Sequence, residues 1–372
     1  MGCALELPPL ALYIHYPWCV KKCPYCDFNS HEGNQQSGYI TALLKDLDED
    51  LDYVQGRSIQ SIFLGGGTPS LMNEQALFEL FSGLKTRLKF ADDIEITLET
   101  NPGTFEIEKF KAFKRIGINR LSIGVQSFND QHLKSLGRIH NADEAIYACE
   151  KAKQVGFEHF NIDIMYGLEN QTLDDYLSDI NQAVNLNPEH ISFYQLTIEP
   201  NTYFAKFPPT LPNDNDIFKM GNRGVNLLEK NGYIRYEVSA FGKTPSRHNL
   251  NYWQFGDYIG IGAGAHGKIT CSNEPYSFRT TKARSPKDYL KNRQNQVKSI
   301  ENLSFDFMLN ALRLKHGFDL ALFTLRTGQS IQAIECQLNK AQALGLLELN
   351  DRRIQPSEKG FDFLNDLQAI FL

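Results

Sequence analysis

Three of the chain's seven cysteines fall within eight residues, Cys19-Val20-Lys21-Lys22-Cys23-Pro24-Tyr25-Cys26. The other four, Cys3, Cys149, Cys271 and Cys336, stand singly and read as small core or surface residues. Three chemistries compete for the group. A tetrahedral zinc site needs a fourth donor, for which His15 and His31 are the nearby candidates. A redox dithiol would use Cys23 and Cys26 and leave Cys19 without a role. Three thiolates holding three irons of a 4Fe-4S cluster use all three residues and leave the fourth iron open to a ligand. The odd cysteine count, with no secretion signal, disfavours a disulfide framework.

A second set of polar residues closes a series of apolar runs. Gly65-Gly66-Gly67-Thr68-Pro69, Glu99-Thr100-Asn101-Pro102-Gly103, Gly124-Val125-Gln126-Ser127-Phe128 and the Asn161/Asp163 pair each lie within or just after a β-branched, apolar stretch. Turns and helix caps explain Asn101, Asn129 and Thr172. They do not explain a Glu, a Gln and an Asp inside or at the ends of apolar strands, where an unpartnered polar group is costly. Together these residues point to a polar ligand.

The elements that must position them follow from periodicity. Strands are expected at Leu10–Tyr16, Ile59–Leu64, Ile94–Glu99, Arg120–Val125, His159–Met165 and Ile191–Leu196. Helices are expected at about Gly38–Val54, Glu74–Leu88, Ile107–Ile116, Gln131–Leu136, Ala142–Val155, Leu173–Asn185 and Ile217–Asn231. Such alternation means parallel βαβ units, and the gathering of polar and glycine residues at successive strand ends is that of a parallel barrel. The expected fold is α/β, a partial (β/α)6 TIM-type barrel.

With these motifs in place, the C-x-x-x-C-x-x-C spacing with Tyr25 before its last cysteine resembles the signature of radical S-adenosylmethionine (SAM) enzymes. That resemblance implies a cluster on Cys19, Cys23 and Cys26 whose open iron chelates SAM, and an electron donor that reduces it to release a 5′-deoxyadenosyl radical. Tyr13-Ile14-His15-Tyr16-Pro17-Trp18-Cys19, the Gly65–Pro69 run, Gly124–Phe128 and Asn161-Ile162-Asp163 extend the resemblance to the oxygen-independent coproporphyrinogen III oxidase family, over nearly the whole chain. Matched residue by residue, it implies a SAM site of Tyr13, Tyr25, Gly66, Gly67, Thr68, Glu99, Gln126, Arg138 and Asp163. The chemistry agrees: glycines admit close backbone approach, acids pair with an ammonium, and Arg138 pairs with a carboxylate.

Two features depart from the oxidases. Their pattern continues to a further cysteine where this chain has Phe28, and they carry a longer segment before the position of Tyr13, which only twelve residues precede here. His248-Asn249-Leu250-Asn251-Tyr252-Trp253 instead resembles the H-N-x-x-Y-W motif of a sister group, the HemW-type heme chaperones. This implies heme as cargo, passed to respiratory hemoproteins, with His248, Asn249, Tyr252 and Trp253 as heme-contact candidates. His248 would be an axial ligand and His266 its competitor. Oxidative decarboxylation of coproporphyrinogen III is the alternative activity. A radical SAM enzyme modifying RNA or protein is a third, disfavoured by the acidity of the chain and by the motif.

A net charge of −6 argues against a nucleic-acid binder, and no apolar run is long enough for a membrane helix. The start of the chain reads neither as a signal peptide nor as a myristoylation motif, so a cytoplasmic protein is expected. Between Tyr276 and Lys298, however, Arg279, Lys282, Arg284, Lys287, Lys291, Arg293 and Lys298 face the single acid Asp288. A solvated linker is the plain reading; heme propionates, an acidic partner or an anionic membrane surface are the functional ones. Residues 301–372 carry seven basic and nine acidic residues in a helical pattern, with a helix expected at Ile331–Leu344, then a short hairpin and a final helix. They read as a winged-helix-like docking or lid domain, not a DNA reader. The expected division is 1–275 barrel with the heme motif, 276–300 basic linker and 301–372 C-terminal domain.

Overall fold

In the computed structural model, which describes residues 7–104, 106–271, 277–292, 296–350 and 352–372, six parallel strands form the centre of the molecule. They are β1 (Leu10–Tyr16), β2 (Ile59–Gly66), β3 (Phe90–Thr100), β4 (Arg120–Gln126), β5 (His159–Tyr166) and β6 (His190–Gln195). Each pairs in parallel with the next. This is the parallel α/β architecture expected from the periodicity. Helices return the chain between strands, and their ends follow local chemistry. Asn141 and Glu144 form a capping box that opens Ala142–Val155, and Gly156 closes it in the left-handed conformation. One continuous core of strand and helix side chains, among them Leu12, Ile62, Leu98, Ile123 and Phe160, fills the space between the layers.

The sheet continues past both ends of the parallel set, which periodicity did not anticipate. Beyond β1 lies β7 (Asp257–Ile261), also parallel to it, followed by antiparallel β8 (His266–Thr270), Ser277–Thr281 and Gln296–Ser299. Beyond β6 lie antiparallel Ala240–Gly242 and Ile234–Arg235. The stretch expected to be a linker at 276–300 therefore supplies two sheet strands and the helix Pro286–Asn292. Lys282 is buried between Asp46 (2.6 Å) and Asp50 (2.7 Å), and Arg279 pairs with Asp306 (2.8 Å). Cys3, Arg293 and the expected boundary at 275/276 lie outside the described residues.

From Leu303 onward, helices surround a second core that includes Phe307, Phe323, Leu338 and Ile354, closed by a three-stranded antiparallel sheet. The helix expected at Ile331–Leu344 begins as a 3-10 turn at Ile331–Ile334 before Glu335–Ala343. Phe255, from the turn before β7, inserts into this second core and meets Phe307 edge-on at 5.7 Å. Among the described residues, no helix is long and apolar enough to cross a membrane.

Candidate functional site

Two cavities open at the C-terminal ends of the parallel strands. The first, about 290 Å³, is lined by Cys19, Cys23 and Cys26 on one side. The strand ends supply Gly66, Gly67, Thr68, Glu99, Gln126 and Asp163, and Tyr25 and Arg138 complete the expected set. Tyr13 is the exception. It lies on the wall of the second cavity, its hydroxyl bonded to His15 Nδ1 at 2.9 Å.

The loop after β2 explains why glycine recurs there. Gly66 has φ of +110°, and a Cβ on Gly67 would stand 2.3 Å from the Trp18 carbonyl oxygen. With no side chains in the way, Gly67 N–H donates to Tyr16 O and Thr68 N–H to Trp18 O, both at 2.7 Å. The loop is thereby fastened to the segment that leads into Cys19. Gly66 N–H donates to Glu99 Oε2 at 3.0 Å. At the end of β4, Gln126 holds φ of +72°, a strained conformation for a residue with a side chain. Its Oε1 accepts from the Tyr194 hydroxyl at 2.8 Å.

The three thiols share one cavity wall. Of the two candidate fourth donors for zinc, His15 has both ring nitrogens engaged by Tyr13 and by Asn29 O, whereas the buried Nε2 of His31 has no partner. Burial, with Cys26 and Cys23 close by, pushes the Cys19 thiol up to about 11; coordination would reverse this by deprotonating it outright. Arg138 Nη1 reaches Cys23 Sγ at 3.6 Å and Nη2 donates to Gly124 O at 2.6 Å, while its buried Nε has no partner.

The carboxyls carry a clear electrostatic signature. Burial and the charge of Asp163 raise Glu99 to about 8. Burial also raises Asp163, against hydrogen bonds from Asn161, Ser192 and Ser122. Two acids that discourage each other's ionisation can take a ligand bearing an ammonium and hydroxyls, and Arg138 can take its carboxylate. The residues present therefore fit both a cluster and SAM.

The second cavity, about 720 Å³, shares Phe28, Gly66 and Glu99 with the first. Its volume is within the range of sites for organic cofactors. Tyr252 and Trp253 line it, as do Arg279, Arg284 and His266. The Trp253 indole N–H is buried without a partner, and Arg313 stacks on its ring at 4.3 Å. His248 and Asn249 do not line either cavity. His248 is 1% exposed, with Nδ1 bonded to Ser61 Oγ and Nε2 to the Tyr252 hydroxyl, both at 2.9 Å. Burial pushes its imidazole down to about 3, so it stays neutral. Asn249 Nδ2 lies 3.4 Å from the Tyr236 hydroxyl. The motif helix Arg247–Trp253 thus faces the cavity with its second half and is anchored in the sheet by its first.

Sequence reasoning missed Ser122, Tyr194 and Asn29. Tyr194 sits one residue before the strand-end Gln195, a position that could have flagged it. Asn29 had no local signal: its Nδ2 donates to Ala263 O and Arg284 O, both at 2.8 Å and more than two hundred residues away.

Known proteins share this arrangement. The radical SAM superfamily profile matches residues 13–183, and that of the HemN C-terminal domain matches 300–363. The superfamily implies a 4Fe-4S cluster and SAM. The solved structure of coproporphyrinogen III oxidase (HemN) from Escherichia coli, a radical SAM enzyme, superposes with a TM-score of 0.82. At 22% identity, covering 98% of this chain and 90% of that one, it shows the shared fold. The heme chaperone HemW of Escherichia coli (strain K12) is 47% identical over 377 residues, covering 99% of each chain. The heme chaperone HemW of Haemophilus influenzae is 47% identical over 380 residues, again covering 99% of each. Identity at this level across essentially the full length shows that the chain belongs to the HemW family of radical SAM proteins.

Proposed function

We propose that this protein is a heme chaperone, holding heme in the second cavity and delivering it to hemoproteins of respiration. The observation that carries the reading is the second cavity itself, with its aromatic wall of Tyr252 and Trp253, an unpartnered buried indole N–H, and guanidinium groups for carboxylates. The names of its relatives, heme chaperones at 47% identity, support it.

In this reading Cys19, Cys23 and Cys26 hold the 4Fe-4S cluster. Glu99 and Asp163 receive the ammonium and ribose hydroxyls of SAM, Arg138 its carboxylate, and Gly66, Gly67, Thr68, Tyr25 and Gln126 shape the first cavity around it. A cluster held by these cysteines and SAM held by these residues would supply one-electron radical chemistry, with the electron taken from an external donor. Tyr252 and Trp253 pack the macrocycle, whereas His248 and Asn249 hold their helix in place. Tyr13, bonded to His15, lines the cargo side of the shared wall. The site of action is cytoplasmic, with acceptors met at the inner face of the membrane, where exposed Lys287, Lys291 and Lys298 offer positive charge.

The test is an anaerobic hemin titration of the cluster-reconstituted protein beside an incubation with SAM, reductant and coproporphyrinogen III. The expected outcome is a saturable Soret band with no protoporphyrinogen formed. Protoporphyrinogen formation would establish the oxidase activity instead.

A further inference from the structure

An axial ligand must present a free lone pair to iron, and most candidates around the second cavity cannot. Both nitrogens of His248 are bonded within the protein, and the residue is not on the cavity wall. His15 is on the wall, but its nitrogens are engaged by Tyr13 and by the Asn29 carbonyl. The phenols are engaged as well: Tyr13 with His15, Tyr252 with His248, and Tyr258 with Arg279.

His266 is different. It lines the cavity as the first residue of β8, and among the described residues its Nε2 has no hydrogen-bond partner. Its Nδ1 lies 3.5 Å from Thr281 Oγ1, on the adjoining strand. A neighbour on one ring nitrogen that leaves the other free is the usual support for an imidazole that ligates metal.

The approach to His266 is built rather than incidental. The turn before it, Gly262-Ala263-Gly264-Ala265, has positive φ at Gly262 and Gly264. A Cβ on Gly264 would stand 2.3 Å from Asn29 Nδ2. Without one, Asn29 reaches both Ala263 O and Arg284 O, tying the cysteine loop to the backbone that carries His266 on one side and Arg284 on the other. The Arg284 side chain is exposed and lines the same cavity, whereas Arg279 is already paired with Asp306 and Lys268 with Asp257.

We propose that His266, not His248, supplies the axial nitrogen to heme iron in the second cavity, and that Arg284 receives a propionate carboxylate of the same cargo. The assignment rests on the heme-binding reading above. It gives the two halves of the site separate duties: the motif helix packs the macrocycle, and the glycine turn with its neighbouring strand holds the iron and the acid edge.

The full-length, cluster-reconstituted protein and its His266→Ala, His248→Ala and Arg284→Glu variants are titrated anaerobically with hemin and, separately, with metal-free protoporphyrin IX. Binding is followed by the Soret band and iron ligation by electron paramagnetic resonance. His266→Ala should lose the histidine-ligated signal and weaken hemin binding at least about tenfold. Its protoporphyrin affinity should be unchanged, and added imidazole should restore the signal. Arg284→Glu should weaken both porphyrins alike. His248→Ala should keep the histidine-ligated signal. The assignment is overturned if His266→Ala keeps the wild-type signal, or if His248→Ala loses it with the cluster absorbance intact. If the unmodified protein binds neither porphyrin, the heme-binding reading itself falls.

Discussion

Glu99 shows how a single buried acid can report its ligand. Burial and Asp163 hold it near 8, so it is largely protonated at neutral pH in the ligand-free protein. A carboxyl raised above its unfolded value binds more protons when folded, so its effect on stability turns unfavourable as pH rises from about 4.5 to about 8. A cationic ligand reverses the balance, because it favours the carboxylate. SAM affinity should therefore increase between pH 6 and 8, level off above about 8, and be accompanied by proton release, measurable by calorimetry in buffers of different ionisation enthalpy. Glu99→Gln should abolish this pH dependence and weaken SAM binding by about tenfold or more, the loss expected for one charge-assisted hydrogen bond. Glu99 was legible in the sequence as an acid ending an apolar strand. Its like-charged neighbour was also visible, but not the distance between them, because strand spacing in the sheet brings them together.

At the scale of elements, the turn after β4 depends on the helix that follows β5. Gln126 holds its left-handed backbone because the next two residues are fixed from the helix Leu173–Asn185: Asp179 accepts from Ser127 Oγ at 2.6 Å and from Phe128 N–H at 2.7 Å. Burial raises Asp179 to about 6 against those two bonds, so the carboxylate is retained at neutral pH. Asp179→Ala leaves the turn without its acceptor and should cost about 1–3 kcal/mol in urea unfolding. The same variant should weaken SAM binding in equilibrium dialysis, because Gln126 lines the first cavity. Periodicity located both the strand and the helix, since each buries one face. It could not show Asp179 turning inward, because an acid in an amphipathic helix ordinarily reads as part of the solvated face.

Across the whole molecule, the basic stretch near residue 280 serves the sheet before any partner. Lys282 joins Asp46 and Asp50 in the interior, and the Tyr289 hydroxyl donates to Asp46 at 2.7 Å. These contacts bind the outer strands to the helix Tyr39–Glu49, which follows the cysteine loop. Lys282→Met leaves two buried carboxylates without their cation and should destabilise the protein by about 3–5 kcal/mol, read as a lower urea midpoint with the denaturant slope unchanged. A linear count of charges reads this segment as a solvated linker because it gives no sign of Asp46 and Asp50, more than two hundred residues earlier. The C-terminal domain is coupled to the cargo side in the same long-range way, through Phe255 in its core and Arg313 on the Trp253 ring.

The sequence by itself brought out the three-cysteine group, the alternation of parallel strands and helices, and the polar strand ends that line the first cavity. Each rests on local chemistry: ligand spacing along one loop, the apolar period of one element, or a polar residue at one strand end. Tertiary structure decided what depends on remote partners. It placed Tyr13 on the second cavity, satisfied both nitrogens of His248, and turned the expected linker into sheet. Hydrogen-bond satisfaction and burial are set by whatever the fold brings alongside, and no spacing along the chain encodes that.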